Sequence, residues 1–149
     1  MLLDKQNQFS ADAGDSPTVV GSTVSTNVID LGIARDIGGA VTDDLYLLIE
    51  VITAFTSGGA GTLKVQYQGS NDNVTFTTIA QSDDVAVASL IQGYKFLQNS
   101  VPSVPSTTLY RYHRLNYVIG TAVMTAGTIK AGYVPALQHA PVYAGGYTA

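Results

Sequence analysis

Between residues 62 and 69 the chain alternates, with Leu63, Val65 and Tyr67 apolar and Lys64, Gln66 and Gln68 polar. A repeat of two places successive side chains on opposite faces of an extended chain, so this segment is predicted as a strand with one face on a core and one in water. Residues 45–55 are apolar on both faces, Leu45, Leu47, Ile49 and Val51 on one and Tyr46, Leu48 and Ile52 on the other. That pattern predicts a strand covered on both sides. The outer face of a small two-layer antiparallel fold is ordinarily wet, so the second cover is a neighbouring subunit, a long loop or an arm. Similar runs predict further strands at residues 23–31, 74–80, 85–89, 94–97, 110–119 and 128–134. Clusters at 57–61, 69–73 and 82–84, rich in Gly, Ser, Asn and Asp, supply the turn chemistry of hairpin corners. All five prolines (Pro17, Pro102, Pro105, Pro135 and Pro141) fall outside these runs, as strands carrying ladder hydrogen bonds require. About eight short strands predict an all-β chain, an antiparallel β-sandwich of jelly-roll type with extended N- and C-terminal segments. Residues 1–134 form its single domain and residues 135–149 a tail.

Composition agrees. Thr and Val number sixteen each, against one Glu and four Lys, which favours strands over helices. At 149 residues there is room for one core. Hydrophobic residues make up 46% of the chain and charged residues 12%, about half the share typical of soluble domains, which excludes disorder. The net charge of −4 opposes the counterion release that drives non-specific nucleic-acid binding. With no cysteine there is no disulfide framework and no thiolate chemistry. The opening Met1-Leu2-Leu3-Asp4-Lys5 meets charge at once, so neither a secretory leader nor a membrane span is expected, and synthesis in a cytoplasm is.

No constellation of catalytic residues emerges. His113 falls in a predicted strand and His139 in the tail, too far apart in sequence to suggest a metal set. The adjacent pairs Asp43-Asp44 and Asp83-Asp84 read as solvated turns rather than an acid–base pair. The glycines at 58–61 lack the ending of a phosphate loop, and Asn71-Asp72-Asn73 lacks the spaced ligands of a calcium loop. Tyr110-Arg111-Tyr112-His113-Arg114 interleaves aromatics with bases, as a single-strand-binding sheet does, but it stands alone in an acidic chain. A structural strand whose arginines meet an interface or an aspartate is the stronger reading. The expectation is therefore no enzyme, cofactor, metal, nucleic acid, membrane or small-molecule substrate. A charge-poor chain with nine tyrosines instead suits a subunit that lives against other proteins, and the Tyr46, Leu48, Ile52 face is a candidate for such contact.

Several stretches carry a more specific likeness. The first ten residues, Ser25-Thr26-Asn27-Val28-Ile29-Asp30-Leu31-Gly32, Arg35-Asp36-Ile37-Gly38, Leu45-Tyr46-Leu47-Leu48, Gly93-Tyr94, Arg114-Leu115-Asn116-Tyr117 and Thr125-Ala126-Gly127 occur in this order. Over about residues 1–134 the chain thereby resembles the capsid cement (decoration) proteins of short-tailed bacteriophages. The resemblance implies a small jelly roll that sits on the outer surface of the capsid in the virion, as a homodimer or homotrimer. Its partner would be the major capsid protein, whose subunits it clamps together. It also implies contacts from the N-terminal segment, with Leu2, Leu3, Asp4, Lys5, Gln6 and Phe9, and from the loop at 33–39, with Arg35 and Asp36. The tail and the loop at 98–108 lie outside the likeness. The tail has no charged side chain but carries Val142, Tyr143 and Tyr147, apolar anchors expected to lie along a neighbouring subunit or the capsid. The alternative function is a receptor- or carbohydrate-binding β-sandwich of a phage tail fibre or appendage, marked by Tyr, Asn and Asp converging on one concavity.

Overall fold

The computed structural model describes residues 5–38, 45–97, 101–104 and 108–135. Within them run eight strands: β1 (Gly21–Val24), β2 (Ile29–Arg35), β3 (Tyr46–Ser57), β4 (Thr62–Ser70), β5 (Thr77–Gln81), β6 (Val85–Ala86), β7 (Tyr110–Gly120) and β8 (Met124–Val134). Every pairing between them is antiparallel. One sheet follows the order β1-β7-β4-β5, with β2 also on β7 and β6 also on β4, and the other holds β3 and β8. The chain is thus all-β and sandwich-like, with its strands divided six and two.

The alternation at 62–69 does what its period predicts. Leu63, Val65 and Tyr67 of β4 stand beside Ile119, Tyr117 and Leu115 of β7, and all six turn into the core. Leu47, Ile49, Val51 and Phe55 of β3 and Ile129, Ala131 and Tyr133 of β8 close it from the other side. A two-stranded ribbon is marginal by itself, and here both of its edges are occupied. Residues 93–96 run along β3, where the Gly93 amide donates to the Val51 carbonyl (2.8 Å) and the Phe96 amide to the Ile49 carbonyl (2.9 Å). Along β8 lies the N-terminal segment. The Phe9 amide donates to the Ala131 carbonyl (2.9 Å), and Asp15 and Ile129 exchange two bonds of 2.8 Å.

Three predicted strands take a different form. The run 23–31 splits into β1 and β2, because the Ser25 hydroxyl accepts the Leu115 amide (3.1 Å) and donates to the Asn27 carbonyl (2.9 Å), drawing the chain out of the ladder. At 85–89 only Val85 and Ala86 pair, and residues 87–89 wind into a 3-10 turn. Residues 94–97 lie beside β3 but form only one bridge, Lys95 to Glu50, and Leu97 bends away at φ +44°. Conversely β8 starts at Met124, earlier than residue 128, and crosses a bulge near Gly127. Gly127 has φ +134°, and a Cβ there would fall 2.3 Å from the Phe55 ring, so only glycine fits. The bulge breaks the local alternation and hides the strand's first residues from a period-two reading.

Candidate interaction surface

The N-terminal segment is built into the fold from residue 8 onward. Phe9 is fully buried, edge-on to Tyr133 with ring centroids 5.0 Å apart. The Ser10 hydroxyl accepts the Ala131 amide (3.1 Å), and the Asn27 amide group donates to the carbonyls of Gln8 (3.3 Å) and Ser10 (3.0 Å). Asp15, buried at 7% exposure, accepts from the Ala11 amide (3.0 Å), the Thr26 amide (3.2 Å), the Thr26 hydroxyl and the Tyr117 hydroxyl (3.0 Å). Four donors satisfy a carboxylate that water scarcely reaches.

A second polar cluster crosses the interior. Tyr67 in the large sheet bonds through its hydroxyl to Tyr133 in the small sheet (2.8 Å) and to His113 Nδ1 (2.6 Å). The His113 ring stacks on Tyr67 at 5.4 Å, and its Nε2 is buried without a hydrogen-bond partner. Burial pushes the imidazole below its ordinary range and the Tyr67 hydroxyl above its own. His113 is 2% exposed, so this cluster joins the two sheets and is out of reach of a substrate.

The outer face of the large sheet carries rows of polar groups, of which Gln68 and Asn116 are buried. Asn116 Nδ2 donates to Gln66 Oε1 (2.8 Å) and to the Ser22 hydroxyl (3.4 Å), and Gln66 Nε2 donates to Gln81 Oε1 (3.1 Å). One pair further along, Arg114 donates to Gln68 Oε1 (2.9 Å) while its guanidinium lies 3.7 Å above the centre of the Phe76 ring. Gln68 Nε2 reaches the Thr78 hydroxyl (3.3 Å). Arg111 holds Asp30 with two bonds of 2.7 and 2.8 Å, which lowers the Asp30 carboxyl to about 2. Both arginines of the Tyr110–Arg114 cluster are therefore engaged within their own chain. A cavity of about 200 Å³ beside Tyr110 is lined by Thr78, Ile79, Ser103, Val104 and Thr108 as well, with no carboxylate among them. No group of three or more His, Asp or Glu able to hold a metal ion occurs among the described residues.

The candidate contact residues scatter over this frame. Lys5 and Gln6 are exposed in a 3-10 turn (Lys5–Asn7), whereas Phe9 belongs to the core of its own chain. Arg35 donates to the Leu31 carbonyl (2.9 Å). Asp36 accepts from the amides of Gly38 (3.0 Å) and Val104 (3.4 Å) and from the Ser103 hydroxyl (3.3 Å), pinning its loop to residues 101–104. Leu48 is 4% exposed and opposite Gly132, so the chain itself covers it; Tyr46 is half-buried and Ile52 is 38% exposed. Leu2, Leu3, Asp4, Val142, Tyr143 and Tyr147 lie outside the described residues. Sequence reasoning missed the Asp15 and His113 clusters and the amide rows. The alternation of Gln66 and Gln68 was the one available signal for the rows.

No curated protein sequence matches the chain. A family model described as Bbp16 matches residues 13–133, which takes in all eight strands except Val134, the last residue of β8. The chain belongs to Bbp16, a phage-associated family.

Proposed function

We propose that this chain is a capsid cement protein. It binds the outside of an assembled shell of major capsid protein as a homodimer or homotrimer and stabilises that shell through multivalent non-covalent contacts. The observation that carries this reading is membership of a phage-associated family over residues 13–133, a stretch that lies within the one along which the sequence resembles cement proteins. The outer sheet face supports it. Gln66, Gln68, Gln81 and Asn116 there are held by side-chain hydrogen bonds, so docking a protein surface against them costs little side-chain ordering. A ligand that binds only the assembled lattice stabilises it by its binding free energy, and an oligomer spanning several capsid subunits multiplies weak contacts through effective concentration. The receptor- or carbohydrate-binding alternative calls for Tyr, Asn and Asp on one concavity, and among the described residues the cavity beside Tyr110 brings together one tyrosine and no Asn or Asp.

Incubation of the purified protein with expanded phage shells tests the reading. Co-sedimentation with the shells and a raised shell-disruption temperature are expected. Shells that neither retain the protein nor gain heat resistance overturn it.

A further inference from the structure

Phe9 ties the N-terminal segment, a strap along β8, to the polar cluster between the sheets. Its ring stands edge-on to Tyr133 at 5.0 Å and to Tyr67 at 6.3 Å, the two tyrosines whose hydroxyls meet across the interior. Beside them on β8, the Ala131 carbonyl takes the amides of Phe9 (2.9 Å) and Ser10 (3.3 Å). The third member of the cluster is His113, whose Nδ1 lies 2.6 Å from the Tyr67 hydroxyl.

Donors and acceptors balance only while that imidazole is neutral. With a bare Nδ1, Tyr67 donates to His113 and Tyr133 donates to Tyr67, so both hydroxyl protons are used. The opposite tautomer strands the Tyr133 proton and leaves Nε2 an unused acceptor, so the bare Nδ1 is the better fit. An imidazolium carries a proton on both nitrogens and can only donate. Tyr67 then has to turn its proton to Tyr133, and the Tyr133 proton loses its acceptor inside the core, beside the Phe9 ring. A buried donor without a partner is costly, and here the cost falls where the strap packs.

The groups around the ring set the acidity this requires. Gly69 of β4 and Ile29 of β2 flank His113 in the sheet, Tyr67 stacks on its ring, and Arg111 nearby is already held by Asp30. Tyr133 of β8 and Phe9 of the strap bring a hydroxyl and a ring but no charge. The Asp36 carboxylate and the Tyr110 backbone favour the cation, but burial opposes it more, so the ring gains its proton below its ordinary value of about 6.5.

We propose that His113 is an acid-operated latch for the N-terminal strap: its protonation reverses the hydrogen-bond chain through Tyr67 and Tyr133 and frees residues 5–10 from β8, while the ladder between β4 and β7 stays closed. Opening begins at the strap because residues 8–10 are held by a few bonds to Ala131 and Asn27 and belong to no strand of either sheet. It ends before Asp15, which is bound independently by Ala11, Thr26, Tyr117 and Ile129. Acid thereby uncovers Phe9 and changes the surface that this end of the chain offers.

Two measurements on the intact protein between about pH 7.5 and 4.5 provide the test. Long-range nitrogen-15 NMR of the imidazole follows the proton on His113, and amide hydrogen exchange, expressed as protection factors, follows opening. The Phe9 and Ser10 amides are expected to lose protection at least about tenfold with the same midpoint as the His113 ring, while those of Asp15, Ile129 and the β4–β7 ladder keep theirs. His113→Gln, which has no proton to gain, is expected to keep Phe9 and Ser10 protected throughout; should that variant fail to fold, the two wild-type midpoints decide. A ring that stays neutral to the end of the range, a ring that titrates without loss at Phe9 and Ser10, midpoints that differ, a loss of equal size in the β4–β7 ladder, or a folded His113→Gln variant that still opens would each overturn the proposal.

Discussion

Buried carboxylates survive in folded chains when every donor around them points inward, and Asp15 meets that condition through Ala11, Thr26 and Tyr117. Asp15→Ala would orphan those donors together, and at about 1–3 kcal/mol for each buried unpaired group the loss should reach roughly 3–5 kcal/mol in urea denaturation. Tyr117→Phe, which removes one donor, should cost about 1 kcal/mol. His113 makes the complementary case. Its Nε2 has no hydrogen-bond partner, and protonation would create a buried cation that the Tyr110 backbone and the Asp36 charge offset less than burial opposes it. Its imidazole is depressed chiefly by burial, so the unfolded chain takes up a proton below pH about 6.5 that the folded chain resists. Stability is full above that pH and is lost as pH falls toward the folded value, by at most about 1.4 kcal/mol per pH unit. Thermal melts between pH 7.5 and 5 should show this decline in the wild type and lack most of it in His113→Gln. Asp30, held to about 2 by Arg111, titrates well below that window.

The strands β4 and β7 are legible in the sequence because Leu63, Val65, Tyr67, Leu115, Tyr117 and Ile119 lie on the core while the side chains between them are mostly polar, although Gln68 and Asn116 on that second face are themselves buried. The strand β3 is legible for the opposite reason, since apolar residues on both sides announce double cover. What remains hidden in that pattern is the identity of the cover. Leu48 is enclosed within its own chain, so Leu48→Lys should destabilise the fold by more than about 3 kcal/mol, because a lone buried ammonium has no partner. Ile52→Lys on the same strand should fall within about 0.5 kcal/mol of wild type in the same denaturation experiment. The N-terminal strap is the least legible element. Its residues have neither period, and nothing local to Phe9 or Asp15 states that their partners are Ala131, Ile129 and Tyr117. Ser25-Thr26-Asn27 is a partial signal: three small polar side chains in the middle of a predicted strand are what bind the strap and break the strand.

For the molecule as a whole, charge is spread unevenly rather than simply scarce. Asp30 pairs with Arg111 across strands, Lys64 of β4 pairs with Asp84 in the turn before β6, and the edge at 16–29 is left neutral. A protein meant to remain solitary gains from charge on such an edge, so the neutral stretch agrees with a chain that finishes its surface in an assembly. The strap also orders events in time. Ser10 bonds to Ala131 across 121 positions of sequence and Ser16 to Gly127 across 111, so these residues wait for partners made long after them. Until β8 leaves the ribosome, Phe9 lacks Ala131 and Tyr133, Asp15 lacks Ile129, and the small sheet lacks one of its two strands. Contacts of such long range close large loops before any reward arrives, which slows folding and keeps the β1 edge and the unclosed core exposed meanwhile. A chain cut short of residue 129 would therefore leave its N-terminal segment without the ladder partners Ile129 and Ala131.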